Sequence, residues 1–114
     1  MKYALLICDD ETRDISMDEI AASPAFQAFE RAAVEDGNRW GGARLRPVAS
    51  ATTVRVRDGE TLVSDGPFAE TKEMLGGYYI VDVPDRQTAL AWAAKVPNAP
   101  YGSIEVRPVL ETAG

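Results

Sequence analysis

No histidine occurs among the 114 residues. Ser-His-Asp and Cys-His catalysis within the chain are therefore excluded, since no imidazole is present to take a proton from a nucleophile. A zinc site of the usual His/Cys kind goes with them, because Cys8 is the one cysteine. A lone cysteine forms no intrachain disulfide and points to a reducing, cytoplasmic setting. Positive charge is scarce: 12 Lys plus Arg face 18 Asp plus Glu, a net charge of -6. That balance argues against a bulk nucleic-acid or membrane-surface binder, because phosphates attract basic faces. No apolar run approaches the ~20 residues of a membrane helix. The run from Tyr3 to Ile7 is too short for a signal-peptide core and is followed by Asp9, Asp10 and Glu11. Internal repeats and low-complexity tracts are absent.

What is present reads as one soluble globular domain over residues 1–114, with 46% hydrophobic and 26% charged residues. Lys2 to Cys8 alternates as a strand with Tyr3, Leu5 and Ile7 on one face and Ala4, Leu6 and Cys8 on the other. Both faces are apolar, the mark of a central strand covered on two sides. Asp9 to Met17 reads as a polar loop. Its Asp9, Asp10, Glu11 and Asp14 match no cation-binding loop, so a solvated acidic loop is expected. Ser16 to Glu19 fits a capping box. Ser23-Pro24 starts a helix to Glu35, striped by Phe26, Phe29 and Ala33, and Asp36-Gly37 stops it.

Strands are predicted over Ala43–Val48, Thr52–Arg57 and Glu60–Ser64. The last two are joined by Asp58-Gly59, a strong hairpin signal because both central residues need positive φ. Gly77 to Val83 is a strand with Tyr79, Val81 and Val83 on one face. Asp85 caps a helix whose buried face carries Ala89, Ala93 and Val96, and Pro97 ends it. Ser103 to Val109 is the last strand, with Ile104 and Val106 opposite Glu105 and Arg107. With the hairpin treated as an insertion, the order is βαββαβ. This is an α+β, ferredoxin-like arrangement with both helices on one face of an antiparallel sheet. The strands at both ends of the chain are expected to place apolar side chains on the bare face. Leaving about six of them wet forgoes ~9 kcal/mol at ~1.5 each, as much as a whole domain's stability. A two-fold homodimer through that sheet face is the predicted remedy.

The most distinctive segment is Asp65-Gly66-Pro67-Phe68-Ala69-Glu70-Thr71-Lys72-Glu73. With Met1-Lys2-Tyr3, Ala51-Thr52-Thr53-Val54-Arg55, Gly76-Gly77-Tyr78-Tyr79 and Val106-Arg107-Pro108, it closely resembles the DGPF proteins of the YCII-related family. The resemblance spans nearly the whole chain. It implies the fold of the dimeric α/β barrels, a mostly unassigned function and, for some members, a setting beside extracytoplasmic-function sigma factors. Shorter relatives carry a His-Asp pair proposed as catalytic. By that resemblance Asp65 looks like the counterpart of that Asp, and no residue matches the His.

Read physically, Gly66 and Pro67 make a sharp turn that can aim Asp65 at a concave sheet face. A partly desolvated carboxylate there can act as general acid or base, with Tyr78 or Tyr79 as phenol donors. Glu70, Lys72 and Glu73 can fix a polar ligand. The bland alternative has Asp65 bonded to its own turn amides, Phe68 plugging the core and the Glu-Lys-Glu run in solvent. Gly37 to Arg57 holds Arg39, Arg44, Arg46, Arg55 and Arg57 without an acid. If the strands bearing Arg44 and Arg55 are neighbours, they form an anion-binding patch; otherwise the charges keep a hairpin soluble. Trp40 either roofs a pocket or packs at a loop. Glu105 and Arg107 either line the cavity between the sheets or sit in solvent. The readings are a small-molecule-binding or regulatory module, an enzyme acting through Asp65, or a subunit whose sheet face serves association only. The first ranks marginally above the second. No cofactor and no metal is assigned.

Overall fold

Along β1 (Lys2–Asp9) the side chains alternate between buried and half-buried. Helices covering one side and, among the described residues, no element covering the other produce this pattern. The computed structural model describes residues 1–12, 19, 23–36 and 39–111, apart from the side chains of residues 39 and 40. The capping box predicted from Ser16, the helix stop at Gly37, Asp14 and the placement of the Trp40 ring lie outside what is described. β1 pairs antiparallel with β5 (Met74–Asp82) on one side and β6 (Ser103–Pro108) on the other. β2 (Arg39–Arg44) adds to the far side of β5, giving the order β2-β5-β1-β6. This is the ferredoxin-like order, and the α+β architecture is as predicted.

The helix α1 (Pro24–Glu35) starts where Ser23 Oγ accepts the Phe26 N–H at 3.3 Å. Its buried residues are Phe26, Phe29 and Ala33, the predicted stripe. The helix α2 (Arg86–Lys95) is capped by Asp85, whose carboxylate accepts the N–H and hydroxyl of Thr88 at 2.8 Å each. The backbone bond first, then the hydroxyl, holds the Asp85 carboxyl below its usual range. Both helices cover the same sheet face. Phe26, Phe29, Tyr79 and Trp92 form a connected ring cluster there, with centroids 5.2 to 6.2 Å apart. Each buried side chain of this size stabilises by roughly 1.5–3 kcal/mol.

Three features differ from expectation. The strand predicted over Ala43–Val48 lies earlier, at Arg39–Arg44. Gly42 explains the shift: a Cβ there would stand 2.6 Å from the Tyr78 carbonyl oxygen and 2.8 Å from the Tyr79 ring. Glycine thus lets β2 close on β5, whereas Pro47 has no N–H for a ladder and a 3₁₀ turn occupies Val48–Ser50. Secondly, β6 turns Ile104 and Val106 toward the helices and leaves Ser103, Glu105 and Arg107 on the bare face. The apolar partners of Ala4, Leu6 and Cys8 come instead from β5, in Ile80, Tyr78 and Leu75. Thirdly, Asp9 is not in a solvated loop. It ends β1 at 1% exposure, accepting from Asn98 Nδ2 at 3.0 Å and from the Asp10 N–H at 2.8 Å.

The hairpin β3 (Thr52–Arg57) and β4 (Glu60–Asp65) forms its own two-stranded sheet. Its turn has Asp58 at φ 52° and Gly59 at φ 77°, as the Asp-Gly signal requires. The chain's radius of gyration is 15.8 Å, against about 13 Å for a compact chain of this length. The hairpin stands in a sheet of its own, and every residue of its β4 strand is exposed. Its Val54 and Val63 are directly paired and 60% and 64% exposed.

Candidate ligand-binding groove

The sequence around Pro67 dictates a chain reversal, and the fold uses it to build a groove. Gly66, at φ 94°, follows β4, and its N–H donates to the Ala51 carbonyl at 2.7 Å. Thr53 Oγ1 donates to the Gly66 carbonyl at 2.7 Å, and Arg55 Nη2 to the Phe68 carbonyl at 3.3 Å. Thr53 and Arg55 are two apart on β3, so one face of the hairpin holds the turn. Thr52, Val54 and Val56 point the other way and are exposed.

Between this turn, the Leu45–Ala51 connection and the start of β5 lies a cavity of about 520 Å³. Leu45, Pro47, Val48, Phe68, Ala69, Met74 and Leu75 are among the apolar residues that line it. Leu75 is registered opposite Cys8 on the bare face, so the groove runs into that face. Its outer wall is pinned by Glu11, whose carboxylate accepts the Val48 N–H at 3.2 Å. Phe68 does not plug the core; it is 79% exposed at the groove's rim. A volume in the range of small-molecule sites, apolar walls and few polar groups suit a ligand with an apolar body.

The predicted site residues do not converge on one point. Asp65 pairs with Thr52 and shares that residue's hairpin face, away from the face that holds the turn. Its carboxylate is exposed and, among the described residues, accepts no hydrogen bond from its own turn. Tyr78 and Tyr79 lie on opposite faces. Tyr79 is 5% exposed and donates to Glu30 Oε1 at 2.8 Å inside the helix-side core, whereas Tyr78 belongs to the bare face. Glu70 and Lys72 are exposed between the turn and β5. Arg55 holds the turn rather than facing the groove. Arg57 donates to its neighbouring Val56 carbonyl at 2.9 Å. β2 and β3 are in different sheets, so Arg44 and Arg55 do not form the anion patch envisaged for neighbouring strands.

Glu105 and Arg107 do share the bare face, as an ion pair. Close by, Ser103 Oγ donates to Glu73 Oε1 at 2.6 Å. Cys8 sits in the same neighbourhood. Partial burial pushes its thiol up, and the Glu105 and Glu73 carboxylates add to the rise. Among the described residues, no His/Cys/Asp/Glu group is arranged to hold a metal ion. No described helix is long and apolar enough to cross a membrane.

Sequence reasoning missed Leu45, Pro47, Val48 and Met74 as groove residues. They carry no chemical signature, and only the return of the Asp65–Glu73 segment along β3 brings them together. It also missed Asn98, whose pairing with Asp9 spans 89 positions.

Residues 1–113 match the family model for the YCII-related domain. An uncharacterized protein of Rhizobium meliloti (strain 1021) is 40% identical over 114 positions, covering 96% of this chain and 92% of that protein. The match takes in the sheet, the hairpin and the turn that walls the groove together, and on it the chain belongs to the YCII-related family, whose relative here is likewise without an assigned function.

Proposed function

We propose that this protein is a small-molecule-binding module whose site is the groove between the Pro67–Thr71 segment and the start of β5. The cavity of about 520 Å³ beside an uncovered sheet face carries the reading. The bare face, with Leu6, Ile80, Tyr78 and Leu75, calls for a cover, and a second copy of the chain supplies it in a homodimer. The groove then opens at the edge of the space between the two sheets. Regulatory use of the bound molecule accords with the sigma-factor setting that the family resemblance implies. A cytoplasmic compartment suits a free thiol on the same face.

Catalysis by Asp65 is the weaker reading. Its carboxylate is exposed to water, which holds it in no fixed pose, and it lies across the hairpin from the groove.

A thermal-shift screen of small metabolites tests the binding reading. A compound that raises Tm saturably, and fails to do so with Ala69→Trp filling the groove, supports it. A screen without such a compound, or a shift that Ala69→Trp leaves intact, overturns it. Light scattering across a dilution series tests the pairing. Dimers at micromolar concentration are expected, and a stable monomer there contradicts it.

A further inference from the structure

The groove's polar inventory is short, and it selects the ligand's chemistry. Its polar side chains are Arg46, Ser50, Thr53 and Thr71. Each hydroxyl has one hydrogen to donate. Ser50 Oγ directs its hydrogen to the Pro47 carbonyl at 2.7 Å, Thr53 Oγ1 to the Gly66 carbonyl at 2.7 Å, and Thr71 Oγ1 to the Glu73 carbonyl at 2.7 Å. All three hydrogens are thus engaged in holding the groove's own walls. Arg46 differs: among the described residues its guanidinium forms no ion pair and no hydrogen bond. Glu11, an acid held at this wall, accepts the Val48 N–H with its carboxylate. Arg46, exposed and among the residues lining the cavity, is therefore its one charged side chain and, among the described residues, an uncommitted one.

Resting on the binding reading above, we propose that the groove's ligand is an amphipathic anion. Its apolar body lies against Leu45, Met74, Leu75 and Phe68, and its carboxylate, sulfonate or phosphate is gripped by Arg46. A neutral apolar molecule of the same shape leaves the guanidinium unused. A cationic one meets repulsion at the rim. A guanidinium offers two parallel N–H donors to such an oxyanion, a geometry that lysine cannot reproduce. Because the charge is exposed, the grip weakens as salt rises.

Two fluorescent probes that share one aromatic framework separate this inference from the reading beneath it. 8-Anilinonaphthalene-1-sulfonate carries an anionic group, and N-phenyl-1-naphthylamine lacks it. With the unaltered protein at low salt, the sulfonate probe is expected to bind at least tenfold more tightly. Arg46→Gln should abolish that advantage while leaving the neutral probe's affinity within twofold, and Arg46→Lys should restore only part of it. Ala69→Trp should remove both probes. Equal affinities in the unaltered protein, or an advantage that survives Arg46→Gln, overturn the anionic-ligand inference and leave the groove reading standing. Binding of both probes that Ala69→Trp does not touch places them elsewhere and overturns both. Circular dichroism of each variant confirms that the fold is retained.

Discussion

The two faces of the central strand carry equally greasy side chains and meet opposite fates. On the helix side, Tyr3, Leu5 and Ile7 are 3%, 0% and 3% exposed and join one core with the rings of both helices. On the other side, Ala4, Leu6 and Cys8 stay half-buried beside Ile80, Tyr78 and Leu75. The polar groups divide in the same way. The helix side holds Asp9 and Tyr79 in specific hydrogen bonds, whereas the bare side shows the exposed Glu105–Arg107 pair and a raised thiol. One face is finished by the chain itself. The other is held in reserve, and the groove opens onto it. A hydrophobic stripe on a strand therefore reports that something covers it, without saying whether the cover is the same chain.

Substitution at adjacent positions breaks the comparison most sharply. Leu5→Ala removes a side chain with no exposure and is expected to cost about 3 kcal/mol in urea unfolding, through lost transfer energy and the cavity left behind. Leu6→Ala, one residue on, should cost under about 1 kcal/mol in the monomer at high dilution. At higher concentration it should cost more if the proposed homodimer covers this face, because part of that cover is lost with it. Equal losses at both positions and all concentrations would erase the distinction between the faces.

The two aspartates at strand ends give the next contrast. Asp9→Ala deprives the buried Asn98 side chain of its carboxylate partner and should cost about 2 kcal/mol. Asp65→Asn, at an exposed carboxylate, should change stability by no more than ~0.5 kcal/mol. Thermal or urea unfolding reads both. A large loss at Asp65 would reveal a structural role for the turn's first residue and revive its capping of local amides.

How far the sequence could be read follows from the range of the interactions involved. α1, α2 and the hairpin were legible because their signals are local: Ser23-Pro24, Asp85 and Asp58-Gly59 each act within a few residues. The sheet order followed from the alternation of β1 and from the number of elements. β2 was misplaced because Gly42 matters only through its approach to Tyr79, some 37 positions away. The alternation of β5 groups Tyr79 with Val81 and Val83, the face the helices bury, and so separates it from Tyr78; offering both as donors to one site overlooks that divergence. Asp65 drew attention by belonging to a conspicuous turn. The groove that this turn builds is lined by ordinary Leu, Pro, Val and Met, and its one charged group, Arg46, is read from sequence only as part of an arginine patch on neighbouring strands, not as the charge of an apolar groove. A site defined by shape leaves little trace in a single chain of letters.

The smallest expected effect concerns Cys8, where the bare face's electrostatics can be read directly. Burial first, then the Glu105 and Glu73 carboxylates, disfavours the thiolate. A thiol raised in the folded state binds its proton more tightly there than in the unfolded chain. Its contribution to stability is therefore complete below the ordinary thiol range and is lost as pH rises through the raised value. Alkylation by iodoacetamide follows the thiolate. Its rate should climb only at a pH above that at which an unstructured cysteine peptide reacts. Glu105→Gln should shift the profile part of the way back. It should not shift it all the way, because desolvation is the larger cause and is untouched by the change. A profile matching the free peptide would show that the bare face gives Cys8 no special environment. A profile fully normalised by Glu105→Gln would invert the order of causes, making charge rather than burial the distinguishing property of this side of the sheet.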